Sequence, residues 1–397
     1  MGDPAEKPPL RSPLGMTPEQ VRSAAAGRII FNRQGGEAGA LAAYRALFRT
    51  GDASGLRQAF GAFPLPEIRT VQREAGPEGE VVKFTLRVPG VTLGMGEPAR
   101  RIEDLRTESV LIPMIGKRRE RTYTLCVSSQ IGCAMGCTFC ETAQMGLLRN
   151  LTADEIVAQW FGAAFGLGLR PANIVFMGMG EPMDNLDNVL DAVAVLKDHN
   201  GPSVPVSKIT ISTVGRVDGI RRLGERLHEP GWRRLGLAVS LNAPNDEVRS
   251  RIMPVNRRWS LAELRAALLD FPMYGGSKLC VEYVLIPGVN DAPSHAREIA
   301  DFVTPLDEHY ARSTRRASPR CVVNLIPYNP RRDSPWPAPD EARVAEFLRR
   351  LTELGVYAKR RRTKGRELMG ACGQLGSAHI RGRSLVPLAV AGLVRDR

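Results

Sequence analysis

The chain has 397 residues, enough for one large domain or two to three smaller ones, and 43% of them are hydrophobic, as in a globular protein that buries a full core. No run of eighteen apolar residues occurs and the start "MGDPAEKPPLRSPLG" has no apolar signal core, which excludes a spanning helix and leads to the expectation of a cytoplasmic protein with no membrane role. Lys and Arg outnumber Asp and Glu by 55 to 42, a net charge of +13 that favours a polyanionic partner through phosphate neutralisation.

Residues 1–15 are polar and proline-rich and are expected to form a disordered tail. Residues 16–65 are alanine-rich and predict a helical accessory domain. Residues 66–114 alternate and carry Gly/Pro turns, which predicts a small β-hairpin extension. From 115 to 376 a strand–loop–helix rhythm follows, and 377–397 are expected to be a C-terminal tail. Strands are expected at "YTLCVSSQ" (123–130), "ANIVFMGMG" (172–180), "KITISTVG" (208–215), "LGLAVSLNA" (235–243), "LCVEYVLIPG" (279–288) and "CVVNLIPYN" (321–329). Helices are expected at 151–166, 185–199, 260–271, 295–303 and 339–355. Six β/α units with continuous apolar strands imply an α/β fold with a parallel sheet, most economically a partial (β/α)6 TIM-like barrel. A doubly wound open sheet shares that rhythm. In the barrel, functional residues belong at the C-terminal strand ends. "GCAMGCTFC", "GMGEP", "STVG", "SLNAPND" and "PYNP" all fall there.

Four of the seven cysteines crowd into "CVSSQIGCAMGCTFC". Cys133, Cys137 and Cys140 are spaced C-x3-C-x2-C, with glycines that let the loop fold around a metal group. Zinc in a closed site takes four ligands, and no second C-x2-C or H-x3-H is present to complete it. An iron–sulfur cluster suits three thiolates better, since three leave one iron open. Cys126 lies on the expected strand, outside the loop. The basic runs "GKRRERTY" (116–123) and "KRRRTKGR" (359–366) precede the cysteine cluster and Cys372, an arrangement that fits a nucleic-acid substrate. Cys280 and Cys321 have apolar neighbours and are expected in the core.

The strings "CVSSQIGCAMGCTFCETAQMG", "RNLTADEI", "FMGMGEPMDN", "SLNAPND", "NLIPYNP" and "GACGQL" resemble the RlmN/Cfr family of radical S-adenosylmethionine RNA adenine methyltransferases, over roughly residues 100–376. The resemblance implies a 4Fe–4S cluster on Cys133, Cys137 and Cys140, and S-adenosylmethionine used twice per turnover. It implies cofactor contacts from Gly180, Glu181, Ser212, Ser240, Leu241, Asn242 and Asn329. Asn242 stands where "SLHAP" is the commoner string, and an amide cannot titrate as histidine does.

Adenine carbons 2 and 8 are electron-poor, so polar methyl transfer fails there. The resemblance implies that Cys372 carries the methyl group as S-methylcysteine and that Cys126 forms a transient disulfide with it to release the base. Glu108 in "TESVLIP" is the implied proton acceptor, with Glu103 as an alternative. The expected reaction is carbon-2 methylation of adenosine in 23S ribosomal RNA, and of tRNA, by a monomer reduced by an electron donor such as flavodoxin. "TAQMG" after Cys140 resembles the carbon-2 branch. Carbon-8 methylation, a non-methylating RNA-binding paralogue and a zinc-binding RNA module are the alternatives.

Overall fold

The computed structural model describes residues 12–26, 36–93, 100–116, 120–315 and 318–376. They fall into two compact units. Among them no helix is long and apolar enough to cross a membrane.

The described residues of the first unit (Met1–Glu67, Thr152–Arg170, Asp187–Val204) are mainly helical. It holds α1 (Pro18–Ala25), α2 (Glu37–Thr50), α3 (Ser54–Phe60), α4 (Ala153–Phe161) and the body of α5 (Leu186–Lys197). Capping boxes at Thr17/Gln20 and Thr152/Glu155 satisfy the first-turn amides of α1 and α4. Its core is aromatic. Tyr44, Phe48 and Trp160 are wholly buried, and the Phe48 and Trp160 ring centroids lie 6.2 Å apart. Trp160→Ala would cost about 3–5 kcal/mol by the cavity it leaves. Of the expected disordered tail, residues 1–11 lie outside the described residues, while Pro13–Gly15 form a 3-10 turn capped by the Ser12 hydroxyl. The expected tail at 377–397 and residues 117–119 of the first basic run also lie outside them.

The second unit (Ile68–Leu151, Pro171–Leu186, Pro205–Arg397) carries the sheet. Its strands are β1 (Ile68–Glu74), β2 (Val81–Val88), β3 (Val91–Leu93), β4 (Arg100–Ile102), β5 (Leu105–Ile115), β6 (Arg121–Cys126), β7 (Gln130–Gly132), β8 (Leu147–Asn150), β9 (Asn173–Phe176), β10 (Ile209–Thr213), β11 (Gly236–Ser240), β12 (Leu279–Leu285), β13 (Cys321–Pro327) and β14 (Ala358–Arg360). Ten of them pair in the order β1-β2-β5-β6-β9-β10-β11-β12-β13-β14. Pairing is antiparallel from β1 to β6 and parallel from β6 to β14. Helices α6 (Val217–Arg226), α7 (Asp246–Ile252), α8 (Leu261–Leu269), α9 (Pro293–Thr314) and α10 (Glu341–Glu353) lie in the connections between β10 and β14. The six expected parallel strands are β6 and β9 to β13, and the sheet order stays linear without closing on itself, as a partial barrel requires.

Several elements depart from those expected, the short strand β8 among them. β14 is a seventh parallel strand that overlaps the start of the second basic run, where charged residues conceal a strand of three residues. α6 and α7 were not expected. α6 carries Gly219 and Gly224 and few apolar residues, and Gly219 is required because a Cβ there would meet the Met183 side chain at 2.5 Å. α9 extends beyond the expected 295–303 and runs through Pro305. One lost hydrogen bond there is offset by the burial of Leu306 and Tyr310 on the same face.

Alternation along the strands fixes what points inward. In β12, Val281, Tyr283 and Leu285 are wholly buried on one face, which leaves Cys280 and Glu282 on the other. Glu282 is in register with Asn324 of β13.

Candidate active site

β7 and β8 pair as a hairpin whose connecting loop carries the three clustered cysteines. Gly132 (φ 77°) and Gly136 (φ 68°) bend that loop through a region other residues rarely adopt. A Cβ on Gly132 would lie 1.8 Å from the Gly146 carbonyl oxygen, so the turn excludes a side chain there. The Cys133 amide donates to that carbonyl at 2.9 Å, and Thr138 N donates to Ile252 O at 3.0 Å.

Cys133, Cys137 and Cys140 line a cavity of about 130 Å³ together with Gly180, Glu181, Ser212, Ser240 and Asn242. Burial pushes the Cys133 and Cys137 thiols up, so a bound metal group must offset the cost of their ionisation. Among the described residues no three His, Cys, Asp or Glu side chains converge closely enough for a single ion. Three separated thiols lining one cavity fit a cluster in which each takes its own iron.

The strand-end residues come from β9, β10 and β11. Gly180 (φ 100°) lets the chain pass over Gln130, whose side chain a Cβ would meet at 2.6 Å. The Glu181 carboxylate is buried and accepts from Met183 N at 3.1 Å and Val214 N at 2.9 Å, tying the loop after β9 to the loop after β10. Desolvation raises its pKa, and those same amides oppose the rise. Asn242 sits at φ 54°, a left-handed conformation that asparagine tolerates better than most residues, and its Oδ1 accepts from Val284 N at 2.9 Å. Leu241, expected at the cofactor, is wholly buried and lines neither cavity. Arg249 does not stand out in the sequence, where it is one arginine among several. It is wholly buried and donates to Leu241 O at 3.1 Å and Ser240 O at 3.3 Å, bracing the end of β11.

A second cavity, of about 520 Å³, is lined by β5 and by the parallel strands β6, β9, β10, β12, β13 and β14. Cys126 ends β6 and lines it. Cys372 lines both cavities. Asn329, expected at the cofactor, lines the larger cavity instead: its Nδ2 donates to Cys372 O at 3.4 Å and its Oδ1 accepts from Arg366 Nε at 3.1 Å. Cys321 is buried as expected. Cys280 is only half-buried and faces the larger cavity, because its strand parity points it inward.

Glu282 and Arg361 also belong to this site. Glu282 lines both cavities, with Arg361 Nη1 at 3.7 Å and Asn324 Nδ2 at 3.5 Å from its Oε1. A lone carboxylate in the apolar run "CVEYVL" was a usable signal for it. Arg361 was indistinguishable from its neighbours in "KRRRTK". Burial pushes the Cys126 thiol up to about 12, with the nearby Cys372 adding to the rise and Arg361 opposing it. Burial likewise raises Cys372, and Arg361 again opposes.

Glu108 stands on β5, buried, with Lys83 Nζ at 2.8 Å from its Oε2. The same oxygen accepts from Gly376 N at 3.2 Å. Glu108 lines neither cavity, and Glu103 is exposed.

A model of the Radical SAM superfamily matches residues 127–303. The dual-specificity RNA methyltransferase RlmN of Syntrophotalea carbinolica is 43% identical over 277 residues, 69% of this chain and 68% of that relative. Its namesake in Nitratidesulfovibrio vulgaris is 40% identical over 321 residues, 79% of this chain and 78% of the relative. The crystal structure of a radical SAM methyltransferase from Sphaerobacter thermophilus aligns with a TM-score of 0.72 at 31% identity, over 91% of this chain and 98% of that one. With the cysteine loop, the strand-end ring and these relatives together, the chain belongs to the radical S-adenosylmethionine RNA methyltransferases of the RlmN type.

Proposed function

We propose that the chain methylates carbon 2 of an adenosine in 23S ribosomal RNA, and in tRNA, through a methyl group carried on Cys372. The observation that carries this reading is the position of Cys372, which lines both the cavity of the three clustered thiols and the larger one that holds Cys126. A 4Fe–4S cluster on Cys133, Cys137 and Cys140, with two S-adenosylmethionine molecules per turnover, would supply the methyl group and the one-electron chemistry that an electron-poor ring carbon demands. Gly180, Glu181, Ser212, Ser240 and Asn242 would hold the cofactor, with Leu241 contributing backbone and Asn329 steadying the Cys372 loop.

Cys372 sulfur tethers the transferred carbon, and through it the protein, to the base. The Cys126 thiolate then attacks the Cys372 sulfur. A sulfur–sulfur bond forms, the sulfur–carbon bond breaks, and its electron pair leaves with the released carbon, which takes up a proton. A carboxylate must first accept the ring proton. Glu108 holds that role on the resemblance. Glu282 is a second reading, because it is the carboxylate that lines both cavities together with Cys372. The adenine must leave its stack to reach this mouth, and Arg360 and Arg362 at the larger cavity suit its phosphates. The resemblance also implies a cytoplasmic monomer reduced by a donor such as flavodoxin.

Nucleoside analysis of 23S ribosomal RNA and tRNA from a host lacking its own enzyme and expressing this chain tests the reading. 2-Methyladenosine in both RNAs is expected. 8-Methyladenosine, or unmodified RNA with a loaded cluster, would overturn it.

A further inference from the structure

One sulfur that serves two cavities needs a defined seat, and the loop that carries Cys372 is tied down on two sides. On the cysteine-loop side, Glu141 N donates to Gly373 O at 2.7 Å and Thr142 Oγ1 to Leu375 O at 2.5 Å. The other side is the antiparallel part of the sheet, β1, β2 and β5.

There the Glu74 carboxylate at the end of β1 accepts two loop amides, Gly365 N on Oε1 at 3.1 Å and Glu367 N on Oε2 at 3.1 Å. Lys364 Nζ reaches Glu78 Oε2 at 2.6 Å and Pro113 O at 2.7 Å. Lys83 Nζ donates to Met369 O at 3.1 Å and Leu368 O at 3.4 Å while it pairs with Glu108. A buried ammonium has three donors, and here each has an acceptor. Gly376 N closes the far end on Glu108. The holds therefore fall on both sides of Cys372 along the chain.

Most of them grip the loop backbone, so they fix its path whatever side chains it bears. Met369 gives an independent sign of that grip. Its φ of 51° is uncommon for a residue with a side chain, and its carbonyl is one that Lys83 holds.

We propose that the antiparallel extension is a cradle for the methyl-carrier loop, with Glu74 and Lys83 as positioning residues that set where the Cys372 sulfur stands. The inference rests on the carrier role of Cys372. Charge-assisted bonds from a carboxylate to two amides give the seat its direction, and reaction at sulfur is sensitive to displacements of about an ångström.

The test uses the full-length chain with its cluster retained and no S-adenosylmethionine. Iodoacetamide labelling of Cys372 and diamide-driven formation of the Cys126–Cys372 disulfide are followed by peptide mass analysis. Glu74→Ala is expected to raise Cys372 labelling about tenfold and to slow the coupling by about the same factor. Cys321, buried in β13, should label at its wild-type rate. Glu74→Gln keeps one acceptor oxygen and should fall between. Lys83→Met should show the same pattern, and if loss of the ion pair prevents folding, the Glu74 variants still decide. Wild-type labelling and coupling in Glu74→Ala would overturn the cradle, as would an equal rise at Cys321, which marks general loosening. A chain that shows the tenfold changes but never methylates RNA would keep the cradle and refute the carrier role.

Discussion

Cys126, the last residue of β6, and Cys372, on the loop after β14, line the same cavity although most of the catalytic unit separates them along the chain. Neither thiol is a member of the clustered loop, and both face the chamber proposed to receive the base. Cys126→Ala is therefore predicted to lower RNA methylation by about a hundredfold or more while Cys372 still gains its methyl group. The tethered protein–RNA adduct should accumulate and run as a shifted band on a denaturing gel with labelled RNA. Turnover at the wild-type rate, with no adduct, would remove Cys126 from the mechanism.

The two carboxylates make separable predictions. Glu108→Gln is predicted to lower RNA methylation by about a hundredfold to ten-thousandfold, the usual worth of a general base, with Cys372 methylation intact. The structure pairs Glu108 with Lys83, whereas Glu282 faces both cavities. Single-turnover rates for Glu108→Gln and Glu282→Gln decide between them. A loss confined to Glu282→Gln would move the proton acceptor to β12.

Much of this site was legible in the sequence for physical reasons. Strands with one buried face repeat apolar residues at alternate positions, so "NIVF", "ITIS" and "VVNLIP" announced themselves, and a metal loop needs its thiols close in sequence. Glu282 was legible in principle, since a carboxylate interrupting "VEYVL" must have a reason to be buried. Arg361 and β14 were not, because a basic run reads alike whether it is solvated or half inside. The Lys83–Glu108 pair depends on the register of β2 against β5, which no local pattern encodes.

Alkaline stability should report on Cys126. Burial raises its folded-state pKa from the ordinary 9.0 to about 12. The stability this represents is complete below the unfolded value and is lost as pH rises from there through the folded one. Between pH 8 and 10.5, urea midpoints of the wild type should fall more steeply than those of Cys126→Ala. The difference should approach roughly 1.4 kcal/mol per pH unit above the unfolded pKa. Parallel curves would mean that the thiol is not desolvated.

Gly132 offers a test of the cysteine loop. Alanine there would place a Cβ 1.8 Å from the Gly146 carbonyl at a φ of 77°. Backbone strain of about 1–3 kcal/mol is expected, and the loop must open to relieve it. Gly132→Ala, purified anaerobically, should retain its far-ultraviolet dichroism and lose most of its iron and sulfide. Full cluster content would show that the tight turn is not required.

The central claim is that Cys372 carries the methyl group. It is tested most directly by mass analysis of the Cys372 peptide from chain co-expressed with active cluster assembly and purified anaerobically. One added methyl group on Cys372, absent when Cys133 is replaced by alanine, is the predicted result. An unmodified thiol in chain that holds its full iron and sulfide would contradict it.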